Sequence, residues 1–137
     1  MSSPRTLRWI GAVLAVGVLY LGAGLIFGSL AGSAASNQTR VAWRLAAWAL
    51  SAVAFAAHIG YEHVRLRSRL STTAFHAALA AALGGFGLAA AASFHAREVH
   101  GSFPIMQLLV WPLLVGMPAF VVALITATVF ARVRRGG

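Results

Sequence analysis

The chain has 137 residues, of which 60% are hydrophobic and 9% are charged, and its formal net charge is +9. Soluble domains contain about 45–50% apolar and about 25% charged residues, so this composition excludes an ordinary soluble domain. The absence of cysteine excludes disulfides and thiolate-bound metals. The positive charge does not predict a nucleic-acid partner, because the arginines stand at the ends of apolar segments rather than on one polar face.

Four long apolar segments account for most of the chain. Each is close to the roughly 20 residues that a helix needs to cross a hydrocarbon core about 30 Å thick. The pattern predicts an all-α integral membrane protein, an antiparallel bundle of four transmembrane helices that forms a single domain over residues 1–137. The predicted spans cover residues 9–31, 45–61, 73–94 and 105–131.

The first segment is rich in glycine, and Gly24 and Gly28 form a GxxxG pair. Because small residues let helix backbones approach closely, we expect both to face another helix, either in this bundle or in a second copy. The arginines before this segment and the small residues 33–35 also resemble a signal peptide with its cleavage site. The apolar run of about 22 residues exceeds the roughly 7–15 of a typical signal peptide, which favours a retained span.

The third and fourth segments differ in how they are expected to pack. Alanine and glycine dominate the third, including Gly85 near its middle. A helix without bulky side chains suits close contact with several neighbours, so we place it at the centre, with Gly85 facing another helix. The fourth contains Pro112 and Pro118, each of which removes a backbone donor and crowds the preceding turn, and this predicts a kink.

The distribution of arginine predicts the orientation. Eight arginines precede the first span, join the second to the third, or follow the fourth, and three lie on the opposite side. Short arginine-rich loops stay in the cytoplasm, so both termini are expected inside, with loops around Asn37 and His100 outside. Exclusive use of Arg as the basic residue, with abundant Ala and Gly, suggests a bacterial chain and hence the inner (plasma) membrane. Anionic headgroups are the expected partners of the cytoplasmic arginines.

The strongest candidates for chemistry are His58, Glu62 and His76. His58 and Glu62 are one helical turn apart, so they share a face of the second helix. His76 lies about one turn inside the third helix. With a short reversal between the two helices, both imidazoles and the carboxylate come to the same depth beneath the cytoplasmic surface, where Arg65 or Arg69 would compete for Glu62.

Four interpretations of this group remain open. His58 and His76 could bind haem iron axially, or the two histidines and Glu62 could hold a divalent metal. The same groups could relay protons. They could also be interfacial residues that bond only to each other or to lipid, with no cofactor, and that is the interpretation we favour.

A second polar group lies near the outer end of the third helix and consists of His95, Glu98 and His100. Their spacing lacks the four-residue interval at which two histidines on one helix bind zinc. We interpret them as polar groups of the loop and the membrane interface.

Three functions follow from these features. No motif specifies a reaction, so the leading hypothesis is a structural or accessory subunit of a membrane complex. A homo-oligomer is the alternative assembly. The first alternative is a haem- or metal-binding electron-transfer subunit that uses His58 and His76. The second is a small transporter or channel that uses the kink and the face of Glu62. An enzyme is not favoured, because the sequence has no nucleophilic motif.

Overall fold

The computed structural model describes residues 4–100 and 105–135, which form four α-helices. They are α1 (Pro4–Gly32), α2 (Asn37–Val64), α3 (Leu70–His100) and α4 (Ile105–Arg135). Each has 28 to 31 residues, a length of about 42–47 Å at the usual rise per residue. All four are long and apolar enough to cross a membrane, as the hydropathy of the sequence predicts. Every helix extends beyond the predicted span.

The largest extension is at the start of α2, which begins at Asn37 rather than near residue 45. Ser36 caps this helix: its backbone is extended, and its Oγ accepts a hydrogen bond from the Thr39 amide at 3.1 Å. Such a cap satisfies an amide that has no partner inside the helix. Asn37 is therefore helical and not in a loop. His100 ends α3, and residues 101–104 of the other expected loop lie outside the described residues.

The connection between α2 and α3 alternates exposed and buried side chains. Arg65, Arg67 and Arg69 are exposed, whereas Leu66 and Ser68 are buried. Arg67 has a φ of 48°, in the left-handed region that non-glycine residues seldom occupy. The turn made there lets the Ser68 amide donate to the Glu62 carbonyl at 3.2 Å. The loop is thus folded back onto the end of α2.

Helix α3 is the central element, as its small side chains predict. It contacts α1, α2 and α4. In the most apolar stretch of α3, 39% of the residues are buried, against 6–17% in the other three helices. Alanines from α3 and α4 form much of the buried core, together with Ile59 of α2.

The glycines named from the sequence have different surroundings. A Cβ at Gly24 would lie 2.6 Å from a methyl carbon of Leu88 on α3, and one at Gly85 would lie 3.3 Å from Val115 on α4. Gly28 departs from the expectation, because no atom lies within 4 Å of the position that its Cβ would take. The reason is that α1 and α2 enclose an open groove beside Gly28 instead of packing there.

Helix α4 continues through both of its prolines. Each proline leaves a carbonyl one turn earlier without its usual amide partner, and this is the reason to expect a kink. The kink stays a prediction. Between the prolines, Gly116 gives α4 a close approach to α3: a Cβ there would lie 3.2 Å from the Cβ of Ala82.

Candidate functional site: a buried carboxylate and histidine cluster

Glu62 lies in the last turn of α2 and is completely buried. Both carboxylate oxygens have partners. Oε1 is 2.9 Å from Nδ1 of His76, and Oε2 accepts a hydrogen bond from Ser68 Oγ at 2.7 Å. A buried carboxylate is costly unless it is paired and hydrogen-bonded, and Glu62 meets both conditions.

His76 is held on several sides. It lies in the second turn of α3, is 7% exposed, and presents Nδ1 to Glu62. With the carboxylate ionised, Nδ1–H is the donor of this hydrogen bond. The indole ring of Trp9 stacks on the imidazole with ring centroids 4.3 Å apart and an interplanar angle of 6°. The contact joins α1 to a cluster otherwise built from α2, α3 and the loop between them.

His58 is the third member of the cluster, one turn before Glu62 on α2. It is 3% exposed and lies within electrostatic range of both Glu62 and His76. Its Nε2 is buried and has no hydrogen-bond partner among the described residues. The buried hydroxyl of Thr73, three residues before His76, lacks a partner in the same part of the chain.

The structure brings together the three residues that the sequence singles out, and it adds two more. The sequence does not identify Ser68 or Trp9 as site residues, because Ser68 stands between arginines that indicate topology and a tryptophan near the end of a span is typical of the membrane interface. The expected competition from arginine is not seen: Arg65 and Arg69 are exposed, and within the described residues the ion-pair partner of Glu62 is His76.

The arrangement does not resemble a metal site with three protein ligands. Within residues 4–100 and 105–135, no group of three or more His, Asp or Glu side chains could hold a metal ion. Since both oxygens of Glu62 are engaged, Glu62 is placed to orient His76 rather than to bind a metal. His95 and Glu98, from the second polar group, lie on helical turns of α3 and are exposed.

Two chemical roles are open to this cluster. The hydrogen bond between Glu62 and His76 joins two groups that can each hold a proton, in a setting shielded from water. The same bond, with those from Ser68 and the stacked Trp9, also fastens three helices near one end of the molecule.

Comparison with known proteins adds no functional information. No protein-family model, no curated protein and no solved structure matches this chain.

Proposed function

We propose that the chain is a small integral membrane protein that serves as a structural or accessory subunit of a larger membrane complex. The observation that carries this proposal is the unequal burial of the helices. Helix α4 is the most apolar, with a mean hydropathy of 2.5 in its span, yet 6% of that span is buried. It packs chiefly on α3, which leaves most of its surface for lipid or for another subunit.

The uncovered surface of α4 includes one continuous apolar stripe. Its members recur every three or four residues, so they share one face of the helix, and each is 55–74% exposed. They are Met106, Leu109, Leu113, Met117 and Val121. Helices associate in membranes by packing rather than by a hydrophobic driving force, so a regular stripe of this kind suits a partner helix.

The buried cluster supports the same proposal. Its hydrogen bonds and the stacked Trp9 join α1, α2 and α3 to each other. Helix α4 is packed firmly on α3 and contributes alanines to the buried core, so its uncovered face is presented to a neighbour from a fixed position.

The topology that accompanies this function is an antiparallel bundle with both termini in the cytoplasm of a bacterial cell. It is supported by the eight-to-three asymmetry of arginine. A reporter active only in the cytoplasm should be active at the C-terminus and inactive when inserted at Ala34. A periplasmic C-terminus would contradict this topology, and a mature N-terminus near Ala35 would show that α1 is a cleaved signal peptide.

Site-specific photocrosslinking in the native membrane tests the subunit proposal. A crosslinking amino acid at Met117 should give one discrete product with a second polypeptide, because Met117 lies in the middle of the exposed stripe. Val18 on α1 is the control, since it is equally exposed, at 67% against 68%, and lies outside the stripe. In mild detergent, the tagged chain should migrate with the same polypeptide.

Three results would contradict the proposal. The first is a Met117 variant that crosslinks to lipid alone, and the second is a chain that migrates as a monomer or only with copies of itself. Equal products from Met117 and Val18 would indicate nonspecific collisions and would also count against a defined partner.

A haem- or metal-binding subunit is the second candidate, and it is favoured by the buried, unpartnered Nε2 of His58. Glu62 holds Nδ1 of His76, which is how carboxylates orient histidines whose other nitrogen binds a metal. The absorption spectrum and metal content of protein from the native membrane test this candidate. A Soret band or a bound metal that disappears in His58→Ala would support it, and blank results in the unchanged protein would reject it.

A further inference from the structure

A groove lies between α1 and α2 at the end of the molecule where residues 33–36 join them. Its volume is about 400 Å³, within the range of about 300–1,000 Å³ typical of small-molecule sites. It is distinct from the buried cluster, which lies at the other end of α2. The contact between the rings of Phe27 and Trp43, 5.9 Å apart, links the two helices beside it.

The wall contributed by α1 is apolar and consists of Phe27, Ala31 and three glycines. Gly24, Gly28 and Gly32 recur at intervals of four residues and line the groove together. No atom lies within 4 Å of the positions that Cβ atoms would take at Gly28 and Gly32. The surface is therefore a shallow channel along the helix, wide enough to seat a slender apolar group without displacing protein atoms.

The wall contributed by α2 is positively charged. Arg40 and Arg44 are one turn apart, line the groove and are exposed. Neither takes part in an ion pair within the part of the chain that the structure describes. They lie in the first two turns of α2, where the helix dipole is positive, and the first turn carries no acid.

Neither acid of the sequence is placed to neutralise these arginines along α2. Glu62 is buried against His76, eighteen residues beyond Arg44 and thus about 27 Å along the helix. Glu98 lies near the C-terminal end of α3, a helix that contributes no residue to the groove. Among the described residues neither acid forms an ion pair with Arg40 or Arg44, so the positive charge beside the apolar channel is available to an external anion.

We propose that this groove binds one anionic phospholipid. The phosphodiester pairs with Arg40 and Arg44, whose guanidinium groups match phosphate oxygens, and an acyl chain lies along the channel over Gly28. Trp48, on the α2 side, lines the channel below the two arginines. The lipid thus fills a gap between α1 and α2 and ties them together in the leaflet opposite the arginine-rich 65–69 loop.

Lipid titration of the full-length chain in a neutral detergent tests this proposal. Native mass spectrometry should detect one dioleoyl-phosphatidylglycerol per chain at concentrations where dioleoyl-phosphatidylcholine is not retained. The melting temperature should rise with the anionic lipid only. Inorganic phosphate and glycerol phosphate, offered alone, should neither compete nor stabilise, because they lack the acyl chain.

Variants separate the two halves of the site. Arg40→Gln with Arg44→Gln should weaken retention of the anionic lipid by about tenfold or more, and Arg40→Lys with Arg44→Lys should retain most of it. Gly28→Leu should abolish retention by filling the channel, and the open space at that position allows it to fold. Gly11→Leu is its matched control on α1, because Gly11 has equally open surroundings outside the groove and should bind lipid normally.

Three results would overturn the proposal. Equal retention of the two lipids would remove the role of the arginines. Unchanged binding in Gly28→Leu would place the lipid elsewhere. Competition by inorganic phosphate at the concentration effective for the lipid would make the ligand a free anion. Circular dichroism and the melting temperature without lipid establish that each variant is folded before its binding is compared.

Discussion

Replacing Glu62 with alanine should lower the free energy of unfolding by about 3–5 kcal/mol, the usual cost of breaking a buried pair by removing one partner. The substitution leaves Nδ1 of His76 and the hydroxyl of Ser68 buried without an acceptor. It also removes the side-chain bond between the loop and α2, and leaves the backbone bond from the Ser68 amide to hold the loop there. Thermal or denaturant unfolding of the purified chain in detergent measures the loss.

The second acid of the chain supplies the control for this experiment. Glu98 is exposed on α3, so Glu98→Ala should change stability by no more than about 0.5 kcal/mol. Glu62→Gln should fall between wild type and Glu62→Ala, because an amide retains one acceptor oxygen. Equal stability of Glu62→Ala and Glu98→Ala would show that the cluster does not hold the helices together.

Helices α1 and α3 approach each other closely at Gly84, and Gly84→Leu should be the most damaging glycine substitution. A Cβ there would lie 2.6 Å from the Cβ of Tyr20 and 3.3 Å from the carbonyl oxygen of Gly17. Neither atom is the end of a flexible side chain, so the two helices would have to separate. Overpacking of this kind costs about 1–3 kcal/mol in soluble cores, and we expect the upper end of that range here.

Other glycines calibrate this result. Gly85→Leu meets Val115 at 3.3 Å and should cost about 1–3 kcal/mol, but less than Gly84→Leu. Gly24→Leu meets the outer carbons of the flexible Leu88 side chain, which can move aside. Gly22 has nothing within 4 Å of its Cβ position, so Gly22→Leu isolates the effect of helix propensity. Similar melting temperatures for the Gly22 and Gly84 variants would contradict the packing.

The helices were predictable because a segment in lipid must satisfy its own backbone hydrogen bonds. A long apolar segment does so by forming a helix. The start of α2 was not predictable from hydropathy, because residues 37–44 are too polar. Helix formation there depends on the cap at Ser36. Glycine spacing predicts a face of a helix, but it does not tell where two helices diverge. That is why a Cβ at Gly24 would meet Leu88 of α3, whereas one at Gly28 would meet no atom and point into open space.

The cluster was predictable in part, since counting turns from the ends of two joined helices places His58, Glu62 and His76 at one depth. The other two members, Ser68 and Trp9, could not be predicted from the spacing of residues along the sequence. Ser68 reaches Glu62 only because Arg67 adopts a left-handed backbone. The stack of Trp9 on His76 depends on the rotation of α1 about its own axis.

The pairing of Glu62 with His76 has a consequence for how the chain enters the membrane. Helix α2 has the lowest mean hydropathy of the four, 1.3 in its span, and it carries a carboxylate whose partner lies 14 residues downstream on α3. During synthesis, Glu62 therefore leaves the ribosome while its partner His76 is still inside the exit tunnel. We expect α2 and α3 to partition into lipid together as a helical hairpin, and a nascent chain that stops short of His76 to hold α2 at the translocon.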